Sequence, residues 1–248
     1  MSKFLGSILI IVFSGIAITI TVILVNSSQD IPPGEGGKPA ELLSEQIQKA
    51  VNTNAWDRTA AVEFTVSSSQ NRHFIDKKRK LYEVQFSEGN DTYLVQFDDN
   101  NHFTAYRNDE KLSGSELQNA YETAKTARDT DLFWFHPFPL IRKNTILKKV
   151  GNQALLVTFT QKDNDTYLIV TDASHRPTHW KMWTKKYPLK GMESSFDEWV
   201  KIGNGISLSL LRQNDFQEIR FTDAAVHEYY PVKEDRFRDF LIQFPHGE

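Results

Sequence analysis

Phe4 to Val25 is an unbroken apolar run, interrupted only by Gly, Ser and Thr. A helix that is apolar on every side has no place on the surface of a water-soluble fold. At about 1.5 Å per helical residue the run reaches roughly 33 Å, enough to cross the hydrocarbon core of a bilayer. It therefore divides the chain into a membrane segment and a domain that must fold without it. Removable signals usually have apolar cores of about 7–15 residues, shorter than this one. Val25-Asn26-Ser27 offers small residues around a cut, but no Ala-x-Ala. Residues 1–25 are thus expected to form a transmembrane helix or signal anchor, with the anchor favoured over a cleaved signal.

Lys3 and the amino terminus precede the run, whereas residues 26–37 carry only Asp30 and Glu35 as charged groups. The positive-inside tendency then leaves the N-terminus in the cytoplasm and translocates the domain. The expected location is the inner membrane of a bacterium, crossed once, with the domain facing the periplasm. The chain has no cysteine. That excludes the lipid-modified cysteine of a lipoprotein and suits a domain folding in an oxidising compartment without disulfides. A net charge of −3 with no basic, aromatic-interleaved stripe argues against nucleic acid as a partner. Two prolines and a glycine cluster mark residues 26–38 as a flexible linker. The remaining 39–248 is compatible with one domain large enough to bury a core without staples.

That domain reads as mainly β, of the α+β kind. A short amphipathic helix from Pro39 to Val51 carries Leu43, Ile47, Ala50 and Val51 on one stripe. Alternation follows: Val62, Phe64 and Val66 oppose Glu63 and Thr65; Tyr82, Val84 and Phe86 oppose Glu83 and Gln85; Tyr93, Val95 and Phe97 oppose Gln96 and Asp98. It recurs at Leu155-Val157-Phe159, Trp180-Met182, Ile206-Leu208-Leu210 and Ile219-Phe221. A period of two means antiparallel strands with one buried face, separated here by turn residues at 88–91, 98–101, 162–165 and 203–205. Ser113-x-x-Glu116 has the pattern of a capping box, ahead of helical spacing at Leu117, Ala120, Tyr121, Ala124 and Ala127. That helix should end at the aromatic cluster 133–138, where prolines intervene. A last helix is expected from Asp235 to Phe244. The string Asn-Asp-Thr-Tyr-Leu stands at 90–94 and again at 164–168, each time leading from a turn into a strand.

About ten strands at roughly 4.8 Å spacing would make a flat sheet nearly 50 Å across, too wide for three helices of about 10 Å to cover. The expectation is a curved antiparallel sheet forming an incomplete barrel, plugged by about three helices and preceded by one transmembrane helix. Its mouth should keep an apolar cavity. The residues expected to line it are Phe64, Tyr82, Val84, Phe86, Val95, Phe97, Trp134, Phe159, Ile169, Trp180, Leu208 and Phe221.

Several strings resemble the bacterial lipoprotein-carrier half-barrel superfamily, and more narrowly an exported branch of it. They are Ala55-Trp56-Asp57 with Phe64, His73-Phe-Ile-Asp76, and Asp131-Leu-Phe-Trp134-Phe-His-Pro137-Phe138-Pro-Leu140. Tyr167-Leu-Ile-Val-Thr-Asp172, Arg176-Pro177, Trp180, Trp199, Gly203-Asn-Gly205 and Arg212 complete the set. The branch often has Trp where Ile75 stands here. The resemblance implies a curved, incomplete barrel around an acyl-chain pocket, and a lipid or acylated protein as ligand. The fold also hosts an enzyme of the violacein pathway that works without metal or cofactor, so fold alone does not decide function.

Chemistry is sparsely signposted. There is no Gly-x-Ser-x-Gly elbow, no cysteine nucleophile and no Gly-rich phosphate loop. His73 and Asp76 face opposite ways on a strand, Pro177 separates His175 from His179, and His227-Glu228 stands near a strand end. None has a third ligand at metal spacing. Asp98-Asp99, Asp197-Glu198 and Glu234-Asp235 fit turns and helix starts. Lys77-Lys-Arg-Lys80 fits a solvated hairpin, or a contact with anionic headgroups or an acidic partner, which Trp183 between Lys181 and Lys185 would join.

We therefore expect no catalytic residue, no metal and no cofactor. The expected function is a membrane-anchored envelope domain binding a lipid, lipidated protein or other apolar ligand. The alternatives are a scaffold for a protein partner in the envelope and a cofactor-free enzyme on the same fold.

Overall fold

Alternating side chains become two distinct faces once strands pair in register, because a one-residue slip would exchange them. A computed structural model of the protein describes residues 29–142, 144–161, 164–185, 190–230 and 235–245. The apolar run, and with it the expected transmembrane helix, lies outside the described residues. Among those residues no helix is long and apolar enough to cross a membrane.

The elements run in the order α1 (Lys38–Val51), α2 (Thr53–Arg58), β1 (Ala61–Val66), β2 (Asn71–Asp76), β3 (Leu81–Glu88), β4 (Asp91–Asp98), β5 (Phe103–Arg107), β6 (Glu110–Lys111) and α3 (Gly114–Phe135). A 3-10 turn at Phe138–Arg142 leads to β7 (Thr145–Val150), β8 (Ala154–Phe159), β9 (Asp165–Thr171), β10 (Pro177–Trp183) and β11 (Met192–Ser195). Then come β12 (Asp197–Ile202), β13 (Ile206–Gln213), β14 (Glu218–His227) and α4 (Arg238–Gln243). The chain divides into two compact units, Met1–Ser44 with Lys143–Ser194, and Glu45–Arg142 with Ser195–Glu248.

The expected single curved sheet is replaced by two open antiparallel sheets. One has nine strands in the order β12-β13-β14-β1-β2-β3-β4-β5-β6; the other has five, β11-β10-β9-β8-β7. The strands that no alternation announced include all four sheet edges, β12, β6, β11 and β7. Edges are kept short and charged against pairing with other chains, and these carry Asp197, Glu198, Lys201, Glu110, Lys111, Glu193, Lys148 and Lys149.

In the nine-stranded sheet the alternation becomes register. Phe64, His73, Val84, Val95 and Ala105 are successive cross-strand partners, so they lie in one row on one face. The same face carries Val62, Ile75, Tyr82 and Phe97. The opposite face is also partly covered, which the alternation did not foresee. Phe237 and Phe240 pack there with Ala61, Phe74 and Leu81. Asp235 shapes the approach to α4, accepting from the Phe237 amide at 3.0 Å and pairing with Arg79. The helix is shorter than expected because that turn takes up residues 235–237.

Helix α3 differs from expectation at its start and ends where the prolines were expected to stop it. Ser113 occupies the N-cap position but makes no side-chain capping bond. Gly114 follows with φ +58°, which starts the helix off the geometry a capping box needs. At the other end the helix continues through Phe133, Trp134 and Phe135 and stops at His136, where Pro137 forces an extended backbone.

The five-stranded unit holds the segment expected to be a flexible linker, at least from Gln29 onward. Glu35 bridges β7 at Lys149, with backbone bonds of 2.9 and 2.7 Å, and Trp183 Nε1 donates to the Gln29 carbonyl at 2.6 Å. Composition misled here, because glycine also permits close approach. A Cβ on Gly34 would stand 2.9 Å from Lys148 Cβ and 3.0 Å from the Lys149 carbonyl. Gly34→Val is therefore expected to lift this strap off β7. Amide exchange at Lys149 should rise by roughly tenfold or more, while exchange in β1–β4 stays unchanged.

Candidate functional site

The apolar face of the nine-stranded sheet is built from large side chains and covered by small ones. Val84, Phe86, Val95, Phe97 and Ala105 are buried against Ala120, Tyr121 and Ala124 of α3, with Tyr82, Tyr93, Phe103 and Leu117 at the margin. Alanine at the contact lets the helix approach closely but contributes little area of its own. Tyr121 supplies the aromatic contacts, stacked on Phe103 at 4.1 Å and edge-on to Phe97 at 5.6 Å. Arg128 lies over Tyr82 at 3.9 Å, and burial pushes the Tyr82 hydroxyl up to about 12 despite that cation.

Further along the face the cover changes from alanine to aromatic. Phe64 is stacked on Phe135 at 4.2 Å with the rings 7° apart, and meets Phe221 edge-on at 5.9 Å. Opposite Phe64 the pairing of β1 with β14 slips by one residue, a bulge at which Asp223 takes φ +51°. His73, also stacked on Phe64, bonds Asp131 of α3 through Nε2 at 2.8 Å, and Asn71 donates to the same oxygen at 3.0 Å. A polar clamp thus fixes the aromatic end of α3 to β2.

Beside this clamp lies a buried polar group that the sequence marked only as part of the family resemblance, with no role read for it. Arg212 lies wholly within the core, and no carboxylate among the described residues bonds its guanidinium, although the charge of Asp197 favours the cation. It donates instead to the carbonyls of Ser209 at 3.0 Å, Leu211 at 3.3 Å and Phe135 at 3.3 Å, and rests over Phe196 at 4.2 Å. Burial pushes its pKa down to about 9. Its signal was present in the sequence: the alternation Ile206-Leu208-Leu210 continues to 212. Leu210 itself is only half-buried, while Leu211 and Arg212 are buried.

Next to it His136 is fully buried against Trp56, with ring centroids 4.5 Å apart. Neither of its ring nitrogens finds a hydrogen-bond partner among the described residues. Burial, with the charges of Arg212 and Lys77, lowers its pKa to about 3. Lys77 lies 4.4 Å from the centroid of the Trp56 ring and donates to the Trp56 carbonyl; burial brings its pKa down to about 8.

The sign of the His136 effect is clear. Its folded pKa is depressed below the unfolded value, so its contribution is present above about pH 6.5. That contribution is lost as pH falls toward 3. Stability should decline across that window by up to about 1.4 kcal/mol per pH unit from this group. His136→Gln is expected to flatten that part of a stability–pH profile measured by urea melts.

The residues expected to line one cavity are distributed over both units. Phe64, Tyr82, Val84, Phe86, Val95, Phe97, Trp134, Leu208 and Phe221 belong to the nine-stranded unit, and all but Tyr82 are buried. Phe159, Ile169 and Trp180 belong to the five-stranded one, where they share a face by register, Tyr167 lying between Phe159 at 5.6 Å and Trp180 at 5.0 Å. Trp183, expected on a basic surface, is buried on the other face with Leu156 and Leu168. The Lys77–Lys80 run does form the β2–β3 turn, but Lys77 is committed to Trp56 and Arg79 to Asp76 and Asp235.

Comparison with known proteins adds two likenesses. A DUF1329 family protein from Desulfovibrio piger is 11% identical, with 81% of this chain and 97% of that chain covered, at a TM-score of 0.40. A putative outer membrane lipoprotein-sorting protein domain from Vibrio parahaemolyticus is 13% identical, with 82% and 99% covered, at a TM-score of 0.37. Likenesses this slight carry no argument about activity. No family model matches the chain, and no curated protein matches it.

Two further hollows lie in the nine-stranded unit. One, of about 250 Å³, is lined by Glu63, Thr65, Arg72, Glu83, Gln85, Asp223 and Arg236 among others. Its charges are largely matched internally: Arg236 pairs with Glu83 at 3.2 Å, and His227 with Glu63 at 2.8 Å. The other, of about 470 Å³, lies between Tyr229, Tyr230, Lys78 and the Arg79–Asp235 pair.

Proposed function

We propose that this chain is a membrane-anchored envelope domain that holds a lipid, a lipidated protein or a similar apolar molecule against the aromatic face of its nine-stranded sheet. The observation that carries the reading is the mismatch across that face, with Phe86, Phe97, Val84 and Val95 on the sheet and only Tyr121 as a large buried side chain beside Ala120 and Ala124 on the helix above them. An apolar chain that displaces α3 buries more area than the side chains it replaces. Each methylene transferred contributes about 0.8 kcal/mol, so an acyl chain of about a dozen carbons, roughly 10 kcal/mol, exceeds what the two alanines and the Tyr121 ring contribute together. The His73–Asp131 clamp keeps the far end of α3 seated during such an exchange. In this reading the protein binds and does not convert its ligand. The apolar run 4–25 tethers it to the inner membrane, with the domain in the periplasm.

The test uses a chain beginning at Gln29, which keeps the strap that Glu35 and Gln29 fix to the five-stranded sheet. An apolar fluorophore should bind it saturably, and lipid should be extractable from detergent-free preparations at near-stoichiometric yield. Absence of both would remove the reading. For the full chain, an alkaline wash should leave it in the membrane pellet. A shortened soluble form beginning near Ser28 would show that the run is a cleaved signal.

A further inference from the structure

The segment that leads away from the apolar run is nailed to one particular corner of the five-stranded sheet. The Gln29 amide donates to the Lys190 carbonyl at 3.0 Å, its carbonyl accepts from Trp183 Nε1 at 2.6 Å, and its side-chain oxygen accepts from Lys181 Nζ at 3.1 Å. Gly191 is what lets it come so close, because a Cβ there would stand 2.9 Å from Gln29 Cβ. The apolar run ends at Val25, so only Asn26, Ser27 and Ser28 separate it from this fixed point. Four Cα steps at full extension span about 14 Å at most. The polar layer on each side of a bilayer is roughly 5–8 Å thick. The corner that binds Gln29 therefore stands at, or just above, the lipid headgroups.

That corner presents three lysines, two of them exposed. Lys181 and Lys190 both bond Gln29, and Lys185 stands two residues beyond Trp183, with Lys185 and Lys190 exposed. The opposing charges are Glu193, 3.6 Å from Lys181 and 3.8 Å from His179, Asp165, which accepts from the Lys185 amide at 3.4 Å, and Asp30, exposed beside Gln29. At physiological salt the Debye length is about 8 Å, comparable with the remaining gap, so these lysines feel the charge of a surface this near. We infer that the end of β10 that holds Gln29, with Lys181, Lys185 and Lys190, rests on the anionic lipid surface and sets the five-stranded unit upright on it. The inference rests on the anchored reading proposed above and adds to it a defined membrane-facing surface. The tether supplies proximity; the lysines supply orientation.

The absence of native cysteine makes the test direct. Single labels are placed at Ile31→Cys, exposed beside the fixed point, and at Ala173→Cys, in the turn at the opposite end of β10. The full chain is reconstituted in vesicles of phosphatidylcholine with about a third phosphatidylglycerol, containing a headgroup-attached quencher. At about 3.3 Å per strand residue, the seven residues of β10 put the two labels roughly 20 Å apart in height. Quenching at Ile31→Cys should exceed that at Ala173→Cys by roughly fivefold or more, given that separation. The ratio should fall toward one in Lys185→Glu with Lys190→Glu, and on phosphatidylcholine alone. Equal quenching of the two labels, or a ratio indifferent to both the lysines and the lipid charge, overturns the inference while leaving the anchor intact. A chain that does not float with the vesicles overturns the anchored reading and the inference with it.

Discussion

Arg212→Ala is expected to cost about 3–5 kcal/mol of stability, measured by chemical denaturation. The side chain is large and wholly buried, so truncation leaves a cavity beside Phe196 and Phe221. It also takes the guanidinium donor from the carbonyls of Ser209 and Phe135 in a dry site, while the Leu211 carbonyl keeps the Ser209 hydroxyl. The Phe135 carbonyl belongs to the last turn of α3, where a cation opposes the negative end of the helix dipole. The loss should therefore register locally, as faster amide exchange at the C-terminal end of α3. Arg212→Lys restores charge but not the fork that reaches carbonyls on two elements, and should recover less than half of the loss. A stability change under about 1 kcal/mol for Arg212→Ala would mean that these bonds are replaced by water.

Val95→Trp is expected to abolish binding of an apolar probe, lowering affinity by tenfold or more, which is about 1.4 kcal/mol or greater. Val95 lies in the row between Val84 and Ala105, beneath the alanines of α3. An indole there fills the space that a ligand would take on displacing the helix. It also overpacks the closed form, at about 1–3 kcal/mol. The two effects separate the readings. Lost binding with a modest stability cost supports a ligand on this face. A stability cost with undiminished binding moves the ligand elsewhere, and a protein with no binding to lose favours a scaffold for an envelope partner.

Legibility in the sequence followed burial. Where a strand has one buried face and polar neighbours, as in β1, β3 and β4, a period of two named the correct face residue by residue. Edge strands such as β7, with Ile146 exposed by 53% and lysines on both faces, carry no such period because neither face is deep in a core. The second sheet was invisible for a related reason: alternation says which way a side chain points and nothing about which strand lies alongside. The linker failed through glycine, whose composition signal is the same whether the residue confers freedom or close approach. At the candidate site, Phe64 and Val95 were legible as buried, whereas the role of α3 as a cover was not. Whether Ala120 and Ala124 face solvent or a sheet depends on partners far away in the chain.

The pairing of β1 with β14 has a consequence for biogenesis. Glu63 and His227, joined at 2.8 Å, are 164 residues apart, so the central seam of the nine-stranded sheet joins its earliest strand to its last. The meander β2–β6 can assemble from local hairpins within microseconds of becoming available. β1 must wait, with its edge open, until almost the whole chain has been made and delivered. Long-range closure of this kind is slow and leaves an unpaired edge exposed to neighbouring chains. A chain synthesised or exported from its N-terminus thus carries an unpaired strand through most of its delivery, and a holding chaperone that shields β1 should raise its folded yield more than one that acts after the last strand emerges.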